Sequence, residues 1–130
     1  MKSNIIDKAL KLLDIKENFI IIHSNLLAFF KKTYHTPERV WEIIYSNYKD
    51  KTIIMPAFTF LINKKKKGIW DYKNTKSETG SLTEFFRDKI SQKRTIHPIH
   101  SVSIFGPNYK DIPDHNCKSS FGLGSTWEWL

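Results

Sequence analysis

The chain has 130 residues, a formal net charge of +8 at pH 7 and one cysteine, Cys117. This length allows one domain of ordinary size, and an apolar content of 40% with 14% aromatic residues excludes an intrinsically disordered chain. A lone cysteine excludes an internal disulfide and fits a reducing compartment, so we expect a cytoplasmic protein.

The first part of the chain predicts a helix, a strand and a second helix. Apolar residues at helical spacing predict a helix that begins at Ser3 or Asn4 and ends near Asp14. The short apolar run Phe19–His23 is typical of a strand buried on both faces. Thr36-Pro37 predicts the start of the next helix, with the threonine as N-cap and the proline at the first helical position.

The rest of the chain continues this alternation. Thr52–Met55 predicts a second buried strand, which ends at Pro56. Ser81–Glu84 has the capping-box pattern and predicts a third helix. Ser101–Phe105 predicts a third strand, ended by Gly106-Pro107. Strands and helices in alternation favour a layered α/β fold, with a largely parallel central sheet flanked by helices.

Much of the positive charge is concentrated in Lys64–Lys67, which contributes half of the net charge. Such a run could neutralise the phosphates of a nucleic acid or of coenzyme A, or it could be a solvated loop. Neither a zinc-ligand spacing nor an RNA-binding sheet motif accompanies it, so no nucleic-acid partner is predicted. Because no apolar run approaches the roughly 20 residues that a membrane-spanning helix needs, no membrane partner is predicted either.

The segment Arg94–Ser101 carries the residues best suited to chemistry. Its two histidines, His97 and His100, flank a Pro-Ile pair, and the proline restricts His97 to extended backbone. Each imidazole can exchange a proton near neutral pH or donate a hydrogen bond, but each could equally be a buried histidine bonded to the backbone. No third ligand has a suitable spacing, so no metal site is predicted.

Five segments in order resemble the aminoglycoside 3-N-acetyltransferase family, which comprises antibiotic N-acetyltransferases that use acetyl-CoA. They are His23–Leu26, Met55–Thr59, Trp70–Gly80, Arg94–Ser101 and Ser120–Ser125. The resemblance implies an α/β fold different from that of the GNAT acetyltransferases. It covers nearly the whole chain but only about the first half of the family's length, so we expect residues 1–130 to be a single partial domain.

The resemblance also implies the roles of individual residues. It places the following residues near acetyl-CoA: Ser24, Asn25, Leu26, Pro56, His97, His100 and Ser101. The long loop Asn63–Thr79 lies toward the antibiotic in the family, so Asp71 and Glu78 are candidates for binding the ammonium groups of an amino sugar. Alternatively, these two carboxylates only offset nearby lysines, and the hydroxyl of Ser101 only stabilises a turn.

Two departures from the family pattern concern the activity. Ala28–His35 replaces a glycine-rich turn, and no part of the chain matches the Thr-x-x-His-x-x-Glu segment to which the family's catalytic base is assigned. The expected function is therefore that of an N-acetyltransferase-like protein that is inactive alone, with His97 and His100 in supporting roles. The alternative is a non-enzymatic remnant, or a coenzyme A- or sugar-binding protein. Expected partners are a separate C-terminal half or a second copy of the chain.

Overall fold

The computed structural model describes residues 5–26, 35–64, 68–114 and 118–130, except for the side chain of Asn63. The helices are α1 (Ile5–Leu12), α2 (Pro37–Tyr48), a 3₁₀ helix (Phe60–Lys64), α3 (Ser81–Phe85) continued by a π-helical turn (Phe86–Ile90), and α4 (Thr126–Trp129). The strands are β1 (Phe19–Ile21), β2 (Thr52–Pro56), β3 (Lys93–Arg94) and β4 (Val102–Phe105). None of these described helices is long and apolar enough to cross a membrane.

The four described strands form one mixed sheet in the order β1-β2-β4-β3. β1 runs parallel to β2, whereas β4 runs antiparallel to both β2 and β3. The α/β architecture is confirmed, but the expectation of a largely parallel sheet is not. The reason is the connection between β3 and β4, which is residues 95–101. A parallel pair needs a crossover of about a dozen residues or more, so a connection this short imposes an antiparallel pair.

Apolar side chains pack on both faces of β2, the best-buried strand of the sheet. Ile53 and Met55 face the helices, and Ile54 faces the opposite layer, where it packs with Ile104 and Ile112. The prediction that β2 is buried on both faces is confirmed. The same prediction is wrong for β1, because Ile21 remains 45% exposed on this edge strand.

The predicted helix start at Thr36 is confirmed by a side-chain cap, and the start of α4 carries a cap of the same kind. The hydroxyl of Thr36 accepts a hydrogen bond from the amide of Arg39, and the hydroxyl of Ser125 accepts one from the amide of Glu128. The predicted capping box at Ser81 is wrong. Helix α3 begins at Ser81, preceded by Gly80 at φ +125° with no side-chain cap.

Candidate functional site

The imidazoles of His97 and His100 lie side by side, and one hydroxyl joins them. The Oγ of Ser120 lies 2.7 Å from Nδ1 of His100 and 3.4 Å from Nε2 of His97. The ring centroids of the two histidines are 5.9 Å apart. We call His97, Ser120 and His100 the histidine–serine cluster. It is formed by the β3–β4 connection and by the segment that leads to α4.

The β3–β4 connection, residues 95–101, is held in place along most of its length. The amide of Ile96 donates to the carboxylate of Asp114 at 2.8 Å. The carbonyls of Pro98 and Ile99 accept from the hydroxyl and the amide of Thr59, respectively. Backbone held by this many hydrogen bonds keeps the histidine rings in a fixed position.

His97 also stabilises the turn on which it sits. Its Nδ1 accepts hydrogen bonds from the amides of Ile99 at 3.2 Å and His100 at 3.0 Å. The intervening Pro98 has no amide hydrogen to compete for this acceptor. His97 is thus bonded to the backbone, as one of the two alternatives for this residue required, while its other ring nitrogen faces Ser120.

Aromatic side chains surround the ring of His100. The rings of Phe58, Phe60 and Phe121 have their centroids 4.9, 5.7 and 4.8 Å from that of His100. The indole of Trp127 donates to the carbonyl of His100 at 3.0 Å. Burial lowers the pKa of both histidines, and the neighbouring His97 lowers the pKa of His100 further. The lowered pKa of both groups favours neutral imidazoles, which can act as hydrogen-bonding groups without burying a charge.

Ser101 lies behind the histidine–serine cluster. Its side chain is fully buried, and its hydroxyl donates to the carbonyl of Ala57 at 2.9 Å and accepts from Nε of Arg94 at 3.0 Å. Both hydrogen-bonding functions of the hydroxyl are thus used within the protein. In this structure Ser101 supports the connection that carries the histidines rather than facing the site.

Arg94 is a buried cation whose described hydrogen bonds all go to uncharged oxygen atoms. Besides Ser101, its guanidinium donates to the carbonyls of Thr75 at 2.6 Å and Ala57 at 3.0 Å, and it lies 5.1 Å from the ring centroid of Trp70. Burial lowers the pKa of Arg94 to about 10, which still leaves it charged at neutral pH. Arg94 therefore ties the loop around residues 70–75 to the end of β2. The sequence placed Arg94 in the motif Arg94–Ser101 but did not predict its buried hydrogen bonds.

The remaining candidates for cofactor binding are not part of the histidine–serine cluster. Ser24 borders an apolar cavity of about 310 Å³ between α1, α2 and β1. Leu26 is buried in the core, whereas Asn25 is exposed. Pro56 ends β2, where its carbonyl accepts the hydroxyl of Thr79 at 2.8 Å. The predicted set therefore comprises the two clustered histidines, the buried supports Ser101 and Pro56, the cavity-lining residues Ser24 and Leu26, and the exposed Asn25.

The two candidates for substrate binding are exposed and stabilise loops. Asp71 accepts from the amides of Lys73 and Asn74 at 2.9 and 2.6 Å, and the hydrogen bond from the Asn74 backbone is the main cause that lowers its pKa. Glu78 accepts from the amides of Phe60 and Leu61, at the start of the 3₁₀ helix. Each carboxylate has a structural role within the chain. Their binding of an amino sugar stays a prediction.

Some sequence predictions fall on residues that the structure does not describe, namely Ala28–Tyr34, Lys65–Lys67 and Cys117. Among the residues that it does describe, no group of three His, Cys, Asp or Glu side chains could hold a metal ion.

Comparison with known families decides what the chain belongs to. The family model described as aminoglycoside 3-N-acetyltransferase matches residues 21–130. This range includes Ser24 at the apolar cavity, the buried Arg94 and the whole histidine–serine cluster. The chain belongs to the aminoglycoside 3-N-acetyltransferase family. No curated protein matches the sequence.

Solved structures show the same fold at low sequence identity. The YokD protein from Bacillus subtilis is 19% identical, with a TM-score of 0.76, over 93% of this chain and 57% of that protein. Aminoglycoside acetyltransferase AAC(3)-IIb is 17% identical, with a TM-score of 0.76, over 95% of this chain and 52% of the enzyme. Aminoglycoside acetyltransferase AAC(3)-IVa is 18% identical, with a TM-score of 0.64, over 82% of this chain and 41% of the enzyme. The chain thus spans about half the length of the solved relatives that it matches.

One member of the site in this acetyltransferase-family chain was missed at the sequence level. Ser120 lies in the motif Ser120–Ser125, which we matched only as a turn. The available signal was the presence of a hydroxyl residue at the start of this motif. Nothing in the local sequence indicates that the segment reaches back to residues 97–100, because the two contacts span 20 and 23 positions.

Proposed function

We propose that this chain binds acetyl-CoA for the transfer of its acetyl group to an amine of an aminoglycoside or a related amino sugar. The observation that carries the proposal is the histidine–serine cluster, in which one hydroxyl joins two imidazoles and the ring of His100 lies against Phe58, Phe60 and Phe121. Membership of the acetyltransferase family supports the reaction class.

The residues fit the chemical features of this ligand. Acetyl-CoA supplies a thioester, and its pantetheine arm presents amide carbonyls along an otherwise largely apolar chain. A neutral imidazole N–H next to aromatic surfaces suits such carbonyl oxygens, because it can donate a hydrogen bond without the cost of burying a charge. The exposed carboxylates of Asp71 and Glu78 are the proposed contacts for ammonium groups of the amine substrate.

We further propose that these 130 residues bind the ligand without turning it over. Acetyl transfer to an ammonium group at neutral pH needs a general base that removes a proton. Nδ1 of His97 accepts two amide hydrogen bonds, and protonation there would break both. The sequence also lacks the Thr-x-x-His-x-x-Glu segment. Residues outside these 130 are the proposed source of the base.

The test combines a binding assay and a turnover assay on the same preparation. We expect calorimetric titration with coenzyme A to give saturable binding that is weakened in His100→Ala. Thiol release from acetyl-CoA with a panel of aminoglycosides should stay at the uncatalysed rate. Absence of coenzyme A binding would refute the binding function. Turnover that disappears in His97→Ala would show that the base is within this chain.

The alternative, a protein that binds coenzyme A or a sugar without taking part in catalysis, gives the same result for the lone chain. It is distinguished by adding the separately expressed C-terminal half of a solved relative, such as the YokD protein. Restored thiol release that depends on the amine supports the enzyme, whereas unchanged binding without turnover favours the binding protein.

A further inference from the structure

The hydrogen bonds of the histidine–serine cluster determine where each proton lies. Nδ1 of His97 accepts from two backbone amides, at 3.2 and 3.0 Å, so this nitrogen must carry a lone pair. In a neutral imidazole the proton is then on the other nitrogen, Nε2. The tautomer of His97 is therefore set by the backbone of its own turn.

The same reasoning extends to Ser120. Nε2–H of His97 points to Oγ of Ser120 at 3.4 Å, a long and weak contact in which the hydroxyl oxygen can only accept. The hydroxyl hydrogen of Ser120 is then available for Nδ1 of His100 at 2.7 Å, a short hydrogen bond. When Ser120 donates this hydrogen, Nδ1 of His100 is the acceptor and the proton of its neutral ring lies on Nε2.

We propose that Ser120 is a positioning residue that couples the tautomer of His97 to that of His100, so that His100 presents Nε2–H as a fixed donor to a carbonyl oxygen of the bound ligand. The identity of that ligand as the thioester or pantetheine arm of acetyl-CoA rests on the proposed function. The proton arrangement rests on the geometry of the cluster alone.

The surroundings of His100 explain why such a residue is needed. The phenylalanine rings around it hold the imidazole in place but offer no acceptor or donor that distinguishes its two nitrogens. The hydroxyl at 2.7 Å makes this distinction. The lowered pKa of both histidines agrees with the network, because burial favours the neutral form of the ring, to which tautomers apply.

The direct test is long-range proton–nitrogen NMR on protein with ¹⁵N-labelled histidine, which identifies the protonated ring nitrogen. His97→Gln and His100→Gln assign the signals. We expect Nε2–H for both residues at pH 8. In Ser120→Ala, His100 should become a mixture of tautomers while His97 stays unchanged, and Ser120→Thr should restore the single form.

Ser119→Ala is the matched control, because Ser119 is in the same segment and its hydroxyl accepts a local hydrogen bond from the amide of Gly122. This variant should keep both tautomers. A wild-type His100 with its proton on Nδ1, or a Ser120→Ala variant with an unchanged His100, overturns the proposal. Circular dichroism confirms that each variant is folded.

Coenzyme A titration separates this proposal from the proposed function. Loss of one oriented donor should weaken binding in Ser120→Ala by about 2- to 10-fold, the range for one hydrogen bond, with recovery in Ser120→Thr. If Ser120→Ala shifts the tautomer of His100 but binds coenzyme A as tightly as the wild-type protein does, His100 is not the donor to the ligand. If the wild-type protein shows the expected tautomers but binds no coenzyme A, the proposed function is refuted. The coupling through Ser120 is still supported in that case.

Discussion

Replacement of Arg94 should destabilise the fold strongly, although no carboxylate among the described residues pairs with it. Its guanidinium makes hydrogen bonds of 2.6, 3.0 and 3.0 Å to Thr75, Ala57 and Ser101. A hydrogen bond to a charged group contributes about 1.5 kcal/mol or more, but the substitution also removes the cost of burying the charge. We expect Arg94→Ala to lower the free energy of unfolding by about 3 kcal/mol net.

For a domain of this size that loss corresponds to a fall in Tm of about 10 °C. Thermal unfolding followed by circular dichroism measures it. The matched control is Arg39→Ala, which removes an exposed ion pair with Glu42 at 2.6 Å and should change the stability by less than about 1 kcal/mol. Arg94→Met keeps much of the packing but leaves the same oxygens without donors, so it should be nearly as destabilising as Arg94→Ala. Equal Tm values for the Arg94 and Arg39 variants would refute this reasoning.

Three further predictions concern other parts of the chain. Burial lowers the pKa of His97 and His100, so as the pH falls below about 6.5 the unfolded chain binds protons at these residues before the folded chain does. The free energy of unfolding, measured with urea, should therefore decrease as the pH falls. The decrease should be smaller in His100→Gln. Gly106→Ala should cost more than Gly124→Ala in the same assay. Both glycines have positive φ, but only at Gly106 does an added Cβ meet backbone, 2.5 Å from the Lys51 carbonyl oxygen. The exposed edge strand β1 should promote concentration-dependent association in sedimentation experiments, which Ile21→Lys should reduce if the edge is responsible.

The features that could be predicted from sequence are those set by local patterns. The cap at Thr36 and the proline after it identify the start of α2 without any tertiary information. The continuous apolar run at Thr52–Met55 identifies β2, since only a strand covered on both faces has that composition.

The features that could not be predicted depend on contacts between distant segments. Strand β3 is two residues long, which is too short to show an alternating pattern, and without it the direction of β4 cannot be inferred. Ser81 failed as a cap because the tertiary structure uses Glu84 differently, as the partner of the Arg87 guanidinium and of the Ser77 amide. The role of Ser120 depends on a turn near α4 that returns to His100.

The same connection, residues 95–101, thus has two kinds of support with different consequences. Arg94 and Ser101 hold its base through buried hydrogen bonds to Ala57, so their replacement affects the stability of the whole fold. Ser120 is hydrogen-bonded to the imidazoles at the outer side of the connection, so its replacement affects which nitrogen of His100 carries the proton. Because a donor is effective only if its direction is set before the ligand arrives, a rigid backbone support and a fixed proton position are both required. The histidine–serine cluster is therefore preorganised by residues that never need to contact the ligand.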